Sequence, residues 1–290
     1  MKFRLLFFAA FLAFASCSSD DSSETVNLPV EHKDLKEITS YYANDVIAEL
    51  RKFENNKLKK RYLYDSGEQV FEDLYTYNED GLLIERHSTT TDGIEFNQSV
   101  NYDGQGRISE IENYDGHYEK YTFDYSQEGK IIETRISDGG AGVSQSQTVY
   151  ELNNEGYITK VKSGALTIAE YDYQGDKVIK YKAMYYNDGV LEEDMTAEYN
   201  YSYDMNTEVK GEYINVWNNL FGNSKTNYIL YRVPSRPIFT KNNYLSAYTY
   251  NGVTIVTTTM QYEFDANGFP VKQENFSDDG YYTKHIITYQ

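Results

Sequence analysis

One hairpin is written into this chain over and over. Residues 75–85 read YTYNEDGLLIE: two tyrosines in alternation, a polar turn ending in glycine, then an apolar restart. Close variants stand at 100 (VNYDGQGRISE) and 262 (YEFDANGFPVK), and looser ones at 62 (YLYDSG), 121 (YTFDYSQEGKII), 149 (VYELNNEGYI) and 171 (YDYQGDKVI). Tyr75 and Tyr77 are two apart, so they share one face of a strand. Asn78 suits the first turn position, where its side chain bonds back to the turn backbone. Gly81 supplies the left-handed conformation that closes the turn with a bulge. Leu82 and Ile84 are expected to restart the alternation. Shorter turns lie between these units: TDG at 91, YDG at 114, NDG at 187, YNG at 250 and DDG at 278. Gly81, Gly106, Gly129 and Gly156 recur at intervals of 25, 23 and 27 residues, so two strands and two turns make one repeat. The pattern predicts an all-β antiparallel meander of about 16–18 strands.

The two faces of those strands differ. Tyr121, Phe123 and Tyr125 share one side, as do Ala169, Tyr171 and Tyr173, and Tyr199, Tyr201 and Tyr203. The opposite sides carry Thr122 and Asp124, Glu170 and Asp172, and Asn200 and Ser202. With 31 tyrosines and 14 phenylalanines, the chain is too aromatic for disorder despite its charge. One aromatic and one polar face mark a sheet with one side buried. An open sheet of this length would leave two raw edges and a wet aromatic surface, so it should curl on itself. A round barrel of this size is hollow, whereas tyrosines could fill a flattened one. The expected fold is therefore a flattened, barrel-like meander with tyrosines inward, soluble rather than membrane-inserted. The rival, a transmembrane barrel, needs outward apolar bands where this chain has charges.

Residues 34–53 are ambiguous. Leu35, Ile38 and Tyr42 form a helical stripe, yet the same stretch reads as strands leading to a turn at Asn55 and Asn56. We favour strands, because the neighbouring pattern runs through it.

Residues 1–16 have a positive start at Lys2 and Arg4 and an apolar run over 5–15, which is the organisation of an export signal. Cys17, the only cysteine, follows AFAS directly. This resembles the lipobox of bacterial lipoproteins, in which the cysteine is lipidated and becomes the mature N-terminus. Asp20 and Asp21 resemble the acidic tag of lipoproteins sent to the outer face of the outer membrane. The expected layout is signal 1–16, lipidated N-terminus and tether 17–33, and a single β domain 34–290. Membrane contact would be through the anchor alone. The formal net charge is −18, and loss of Lys2 and Arg4 leaves 25 basic against 45 acidic residues, or −20. Such a surface argues against nucleic acid as a partner.

NYDGQGRIS (101–109) resembles the YD repeat of Rhs-type proteins, whose core is Tyr-Asp, two residues, Gly-Arg and an aliphatic. The whole arrangement is more similar to a family of bacterial surface lipoproteins described as a domain of unknown function with a porin-like fold. That resemblance rests on the lipobox, the Tyr-x-Tyr-Asp/Asn-x-x-Gly hairpins and LFGNSK at 220. It implies a barrel-like all-β fold and no activity.

No catalytic constellation appears. His32, His87, His117 and His285 are not at ligand spacing, and each is expected on a strand surface. Carboxylates at NEDG (78–81) and SDDG (277–280) are explained by turns, and Glu192, Glu193 and Asp194 are one acidic cluster among many. GGAG (139–142) lacks the lysine and helix of a phosphate loop. We expect no cofactor, no metal and no enzyme. One segment, 217–244, breaks the repeat, with the only tryptophan, two of the four prolines and four basic residues. Long excursions often carry function, so Trp217, Phe221, Tyr231, Arg232 and Arg236 are the candidate ligand-binding residues. The expected function is binding of a glycan, peptide or envelope polymer. An assembly role through a strand edge, and a hydrolase whose site is hidden in the sequence, are the alternatives.

Overall fold

The computed structural model describes residues 33–140, 142–175, 177–192, 196–208, 242–250 and 253–290. Every regular element among them is a strand. The first six are β1 (Leu35–Tyr42), β2 (Ile47–Glu54), β3 (Lys57–Asp65), β4 (Glu68–Tyr77), β5 (Leu83–Thr90) and β6 (Glu95–Tyr102). There follow β7 (Ile108–Tyr114), β8 (Tyr118–Asp124), β9 (Lys130–Asp138), β10 (Val143–Leu152), β11 (Ile158–Ser163), β12 (Leu166–Gln174) and β13 (Lys177–Ala183). A small separate hairpin holds β14 (Tyr186–Asn187) and β15 (Val190–Leu191). The chain then forms β16 (Ala197–Glu208), β17 (Asn242–Tyr250), β18 (Val253–Phe264), β19 (Pro270–Ser277) and β20 (Tyr282–Tyr289).

Apart from β14 and β15, each strand pairs antiparallel with the next, β13 passing directly to β16. β20 then pairs with β1, from Leu35↔Tyr289 to Tyr42↔Thr283, and the Gln290 N–H donates to the Asp34 carbonyl at 2.9 Å. Every one of the 18 strands thus has a partner on both sides, and the ladder returns to its starting strand. Closure disposes of the edges that a meander of this length would expose.

Four turns at one end are built alike. Asn78, Asp103, Asn153 and Asp265 each accept the backbone N–H four residues on with a side-chain oxygen, at 2.8–3.0 Å. Each also accepts, with its backbone carbonyl, the N–H of the glycine three residues on. Gly81, Gly106, Gly156 and Gly268 meet this with φ of +74° to +84°, a conformation other residues rarely adopt. We call this the Asx-turn end.

The restart after the turn differs from the expected one. It is Leu83, not Leu82 or Ile84, that is fully buried. Tyr77 pairs with Leu83 but Thr76 with Glu85, so Ile84 is an extra residue, a β-bulge. The same slip stands at the start of β3, β7, β11, β13 and β19. A bulge makes residues three apart point the same way, which brings Ile108 and Ile111, and Ile158 and Val161, into one core. In β1 the extra residue is Lys36, and Leu35 and Ile38 are both fully buried. The helix-like stripe of 34–53 is therefore a bulged strand, and the strand reading of that stretch holds.

Leu35, Leu58, Leu83, Ile108 and Ile158 are fully buried near the Asx-turn end, each contributing on the order of 1.5–3 kcal/mol of burial. Tyr75, Tyr121, Tyr150, Tyr181 and Tyr201 join the same core, as the inward-tyrosine pattern predicts. The outer wall is charged at mid-height. Lys60 pairs with Glu72 (3.4 Å), Lys162 with Glu151 (2.6 Å) and Lys180 with Glu198 (2.9 Å), each across neighbouring strands. Exposed pairs add little stability. They do replace the apolar band that a lipid-facing wall requires.

Candidate ligand pocket

The inner wall changes character along the strands. Beyond the aliphatic tier, toward the end opposite the Asx turns, β2 to β5 place charged side chains on the inside. Asp73 is fully buried and accepts from four donors: Arg86 Nε (2.8 Å), Arg61 Nη1 (3.3 Å), Tyr75 Oη (3.3 Å) and Ser88 Oγ. Glu49, 9 % exposed, accepts from Arg51 and from Arg61. The result is one alternating chain, Arg51–Glu49–Arg61–Asp73–Arg86, across four strands. Burial opposes the charge on Glu49, but the two guanidiniums outweigh it and hold its carboxyl at about 2. A buried carboxylate with this many donors is satisfied; removing one partner would strand a charge.

The outer end of this network forms the floor of an open pocket of about 300 Å³. Arg86 and Ser88, both fixed by Asp73, lie in its lining with Gln98, Asn113 and Glu119. Gln98 Nε2 donates to Asn113 Oδ1 at 2.8 Å. Glu119 accepts from Tyr121 Oη at 2.6 Å and from Arg135 Nη2. The Tyr121 hydroxyl, partly opposed by burial and assisted by Arg135, holds the Glu119 carboxyl below the usual carboxylate range. Phe71 and Phe96 form one wall, their ring centroids 6.3 Å apart. Both are half-buried, as pocket aromatics are when they stay reachable.

The pocket opens at the end away from the Asx turns. Most of the exposed large apolar side chains cluster at that end, among them Tyr42, Ile94, Tyr114, Val143, Tyr185 and Tyr281. Two crystal structures of porin-like proteins are similar to this chain. The one from Bacteroides uniformis ATCC 8492 aligns with a TM-score of 0.45 at 11% identity, over 88% of this chain and 98% of its own. The one from Bacteroides vulgatus ATCC 8482 aligns with a TM-score of 0.43 at 10% identity, over 89% and 99%. No protein-family model and no curated protein matches the chain.

The sequence-derived candidates Cys17, Trp217, Phe221, Tyr231, Arg232 and Arg236 lie outside the described residues, as do most of 217–244 and Glu193 and Asp194. Its described flanks are informative: Glu208 pairs with Asn242 at the Asx-turn end, opposite the pocket mouth. His87 faces outward, 2.6 Å from Asn97 Oδ1, and His117 is an exposed turn residue. His285 departs from the expected surface position, because it faces into the ring. Its Nδ1 is 2.7 Å from Ser40 Oγ, and its Nε2 is 3.2 Å from Asn275 Nδ2. Both ring nitrogens are thus engaged by polar side chains of the inner wall. Burial, then the Arg51 guanidinium, pushes the imidazole down to about 4. No group of metal-ligating side chains occurs among the described residues.

One residue that supports the pocket, though it is not in the lining, could have been found in the sequence. Asp73 interrupts an aromatic face between Phe71 and Tyr75, and a charge at an inward position needs partners.

Proposed function

We propose that this chain is a non-catalytic binding protein of the bacterial envelope that holds part of a glycan, peptide or envelope polymer in the pocket on its inner wall. The observation that carries this is the pocket itself: an aromatic wall facing a floor of planar polar groups held by buried ion pairs. Such a lining, rigid and of mixed polarity, suits recognition of a small polar ligand. What supports binding without turnover is the state of Glu119. A general acid needs a raised carboxyl pKa, and Glu119 is lowered.

In this proposal Cys17 carries an acyl anchor in the outer membrane and the domain faces the cell exterior. Support comes from where the chain enters the fold. Lys33 Nζ is 2.8 Å from Asp265, at the Asx-turn end. Sixteen peptide steps from Cys17 reach at most about 55 Å. A tether of that reach is long enough to hold the domain clear of the lipid surface.

A second reading, a protein partner seated on the apolar rim of the mouth, is favoured by the exposed Tyr42, Ile94 and Tyr281. The route through a free strand edge is not, because all 18 strands of the ring are paired on both sides.

The test is a binding screen of the purified protein against glycans, peptides and envelope polymers, repeated with Phe96→Ala. A ligand that binds the natural protein and is lost in the variant supports the proposal. Ligands that bind both equally well contradict it.

A further inference from the structure

We infer that the pocket takes one pyranose ring of a neutral sugar, entering from the open end; this rests on the binding reading above and narrows it. Three features of the pocket converge on that chemistry.

The first is charge balance. Arg86 and Glu119 in the lining already have their counter-charges in the wall, Arg86 on Asp73 at 2.8 Å and Glu119 on Arg135. The remaining charged group, Asp115, is an exposed turn carboxylate that accepts the His117 backbone N–H at 3.2 Å. An anionic ligand would meet a guanidinium already engaged by Asp73 and the carboxylates of Glu119 and Asp115, whereas a neutral polyol brings no charge to compensate.

The second is shape and surface. Phe71 and Phe96 present an apolar wall beside a polar floor. A pyranose has that same division, with C–H groups on its faces and hydroxyls around its rim. The faces pack on an aromatic ring as other apolar groups do. Adjacent hydroxyls match the paired atoms of guanidinium, amide and carboxylate groups, here Arg86, Gln98, Asn113 and Glu119. At about 300 Å³, the pocket has room for a single ring rather than a chain of them.

The third concerns peptide. An extended peptide gains affinity chiefly by hydrogen-bonding to an unpaired strand. The strands that line this pocket, β4 to β8, are each paired on both sides. A peptide would find no backbone to bond to here.

Asp73 acts through Arg86 and Ser88 and is a positioning residue. Phe96, Gln98 and Asn113 are the groups that would touch the sugar.

The experiment is a protein-observed NMR titration of the purified protein at millimolar ligand. The panel holds neutral hexoses, an N-acetylhexosamine, a hexuronic acid and short peptides. The variants are Phe96→Ala, Asn113→Ala and, as a control at the rim, Tyr281→Ala, each shown to be folded by its amide spectrum. The inference predicts that at least one neutral sugar shifts the signals of Phe71, Phe96 and Gln98. It also predicts affinity weakened about tenfold or more in Phe96→Ala and Asn113→Ala, and unchanged in Tyr281→Ala. If only the uronic acid or peptides shift those signals, the neutral-sugar inference falls and the binding reading stands. If nothing in the panel shifts them, and polymers that bind the protein do so elsewhere, both fall.

Discussion

The Tyr102 hydroxyl donates to the backbone carbonyl of Leu83 at 2.7 Å, from the last residue of β6 to the first residue of β5. The bulge at Ile84 displaces the backbone there, and the tyrosine supplies a hydrogen bond from the neighbouring strand. The device recurs at Tyr77 to Leu58, Tyr125 to Ile108, Tyr173 to Ile158 and Tyr289 to Pro270, at 2.7–2.8 Å. In each case the acceptor is a buried residue that begins a strand after an Asx-end turn. After Tyr77 and Tyr102 an Asx turn begins at the very next residue, Asn78 and Asp103. At those two places the Tyr–Asx pair ties one hairpin to the next.

Tyr102→Phe should destabilise the fold by about 1–2 kcal/mol, since it removes one hydrogen bond and leaves a buried carbonyl short of a donor. Tyr173→Phe should cost a similar amount, and the double variant close to the sum, because the two sites share no partner. Urea unfolding midpoints give the answer. Losses under about 0.3 kcal/mol would reduce these hydroxyls to bystanders.

Gly106 has φ of +74°, and a Cβ placed there would meet nothing within 4 Å. Gly106→Ala should therefore cost only the backbone term, about 1–2 kcal/mol. Asp103→Ala should cost about 1 kcal/mol more on its own account by freeing the amides of Gln105 and Arg107. Thermal melts of both variants check this.

Asp73→Asn leaves Arg61 and Arg86 facing a neutral amide inside the ring. The expected loss is about 3–5 kcal/mol, the usual cost of breaking a buried pair from one side. Chemical denaturation measures it. A loss comparable to that of a surface pair would mean the network is hydrated and does not fix the pocket floor.

Acid should weaken the fold in two overlapping steps. His285 titrates near 4 in the fold against 6.5 unfolded. Between those values the unfolded chain takes up a proton that the folded chain refuses, so stability falls as pH drops, by about 3–4 kcal/mol in total. Glu49 titrates near 2 against 4.5. Its contribution is complete above 4.5 and disappears as pH falls toward 2. Unfolding midpoints from pH 7 to 4.5 should decline in the natural protein and flatten in His285→Gln.

Much of the architecture was legible because it is periodic. An apolar-x-apolar-Asx-x-x-Gly spacing, Tyr-x-Tyr in its fullest form, states both the strand face and the turn, and four Asx turns follow it to the hydrogen bond. The bulges were not legible. A single extra residue shifts Leu83 into the place expected of its neighbours and makes Leu35 and Ile38 look helical. The edge argument pointed to a sheet that closes on itself, but which strands meet was beyond the sequence, since the pairing of β1 with β20 joins residues about 250 apart through backbone atoms common to every residue. The pocket was hidden for another reason. Its residues come from five consecutive strands, and each looks ordinary in its own strand. Only Asp73, a charge on an aromatic face, marked the wall that supports it.

The most direct test of the account is a cross-link over the seam of the ring. Thr39 and Ile286 are directly paired between β1 and β20, at a separation a disulfide spans. In a protein carrying Thr39→Cys and Ile286→Cys, with Cys17→Ser, mild oxidation of the folded chain should form the bond nearly completely. The oxidised form should unfold at a higher denaturant concentration than the reduced one. A well-folded protein whose two thiols stay free and reactive would contradict the closed ring, and with it the enclosed wall on which the pocket depends.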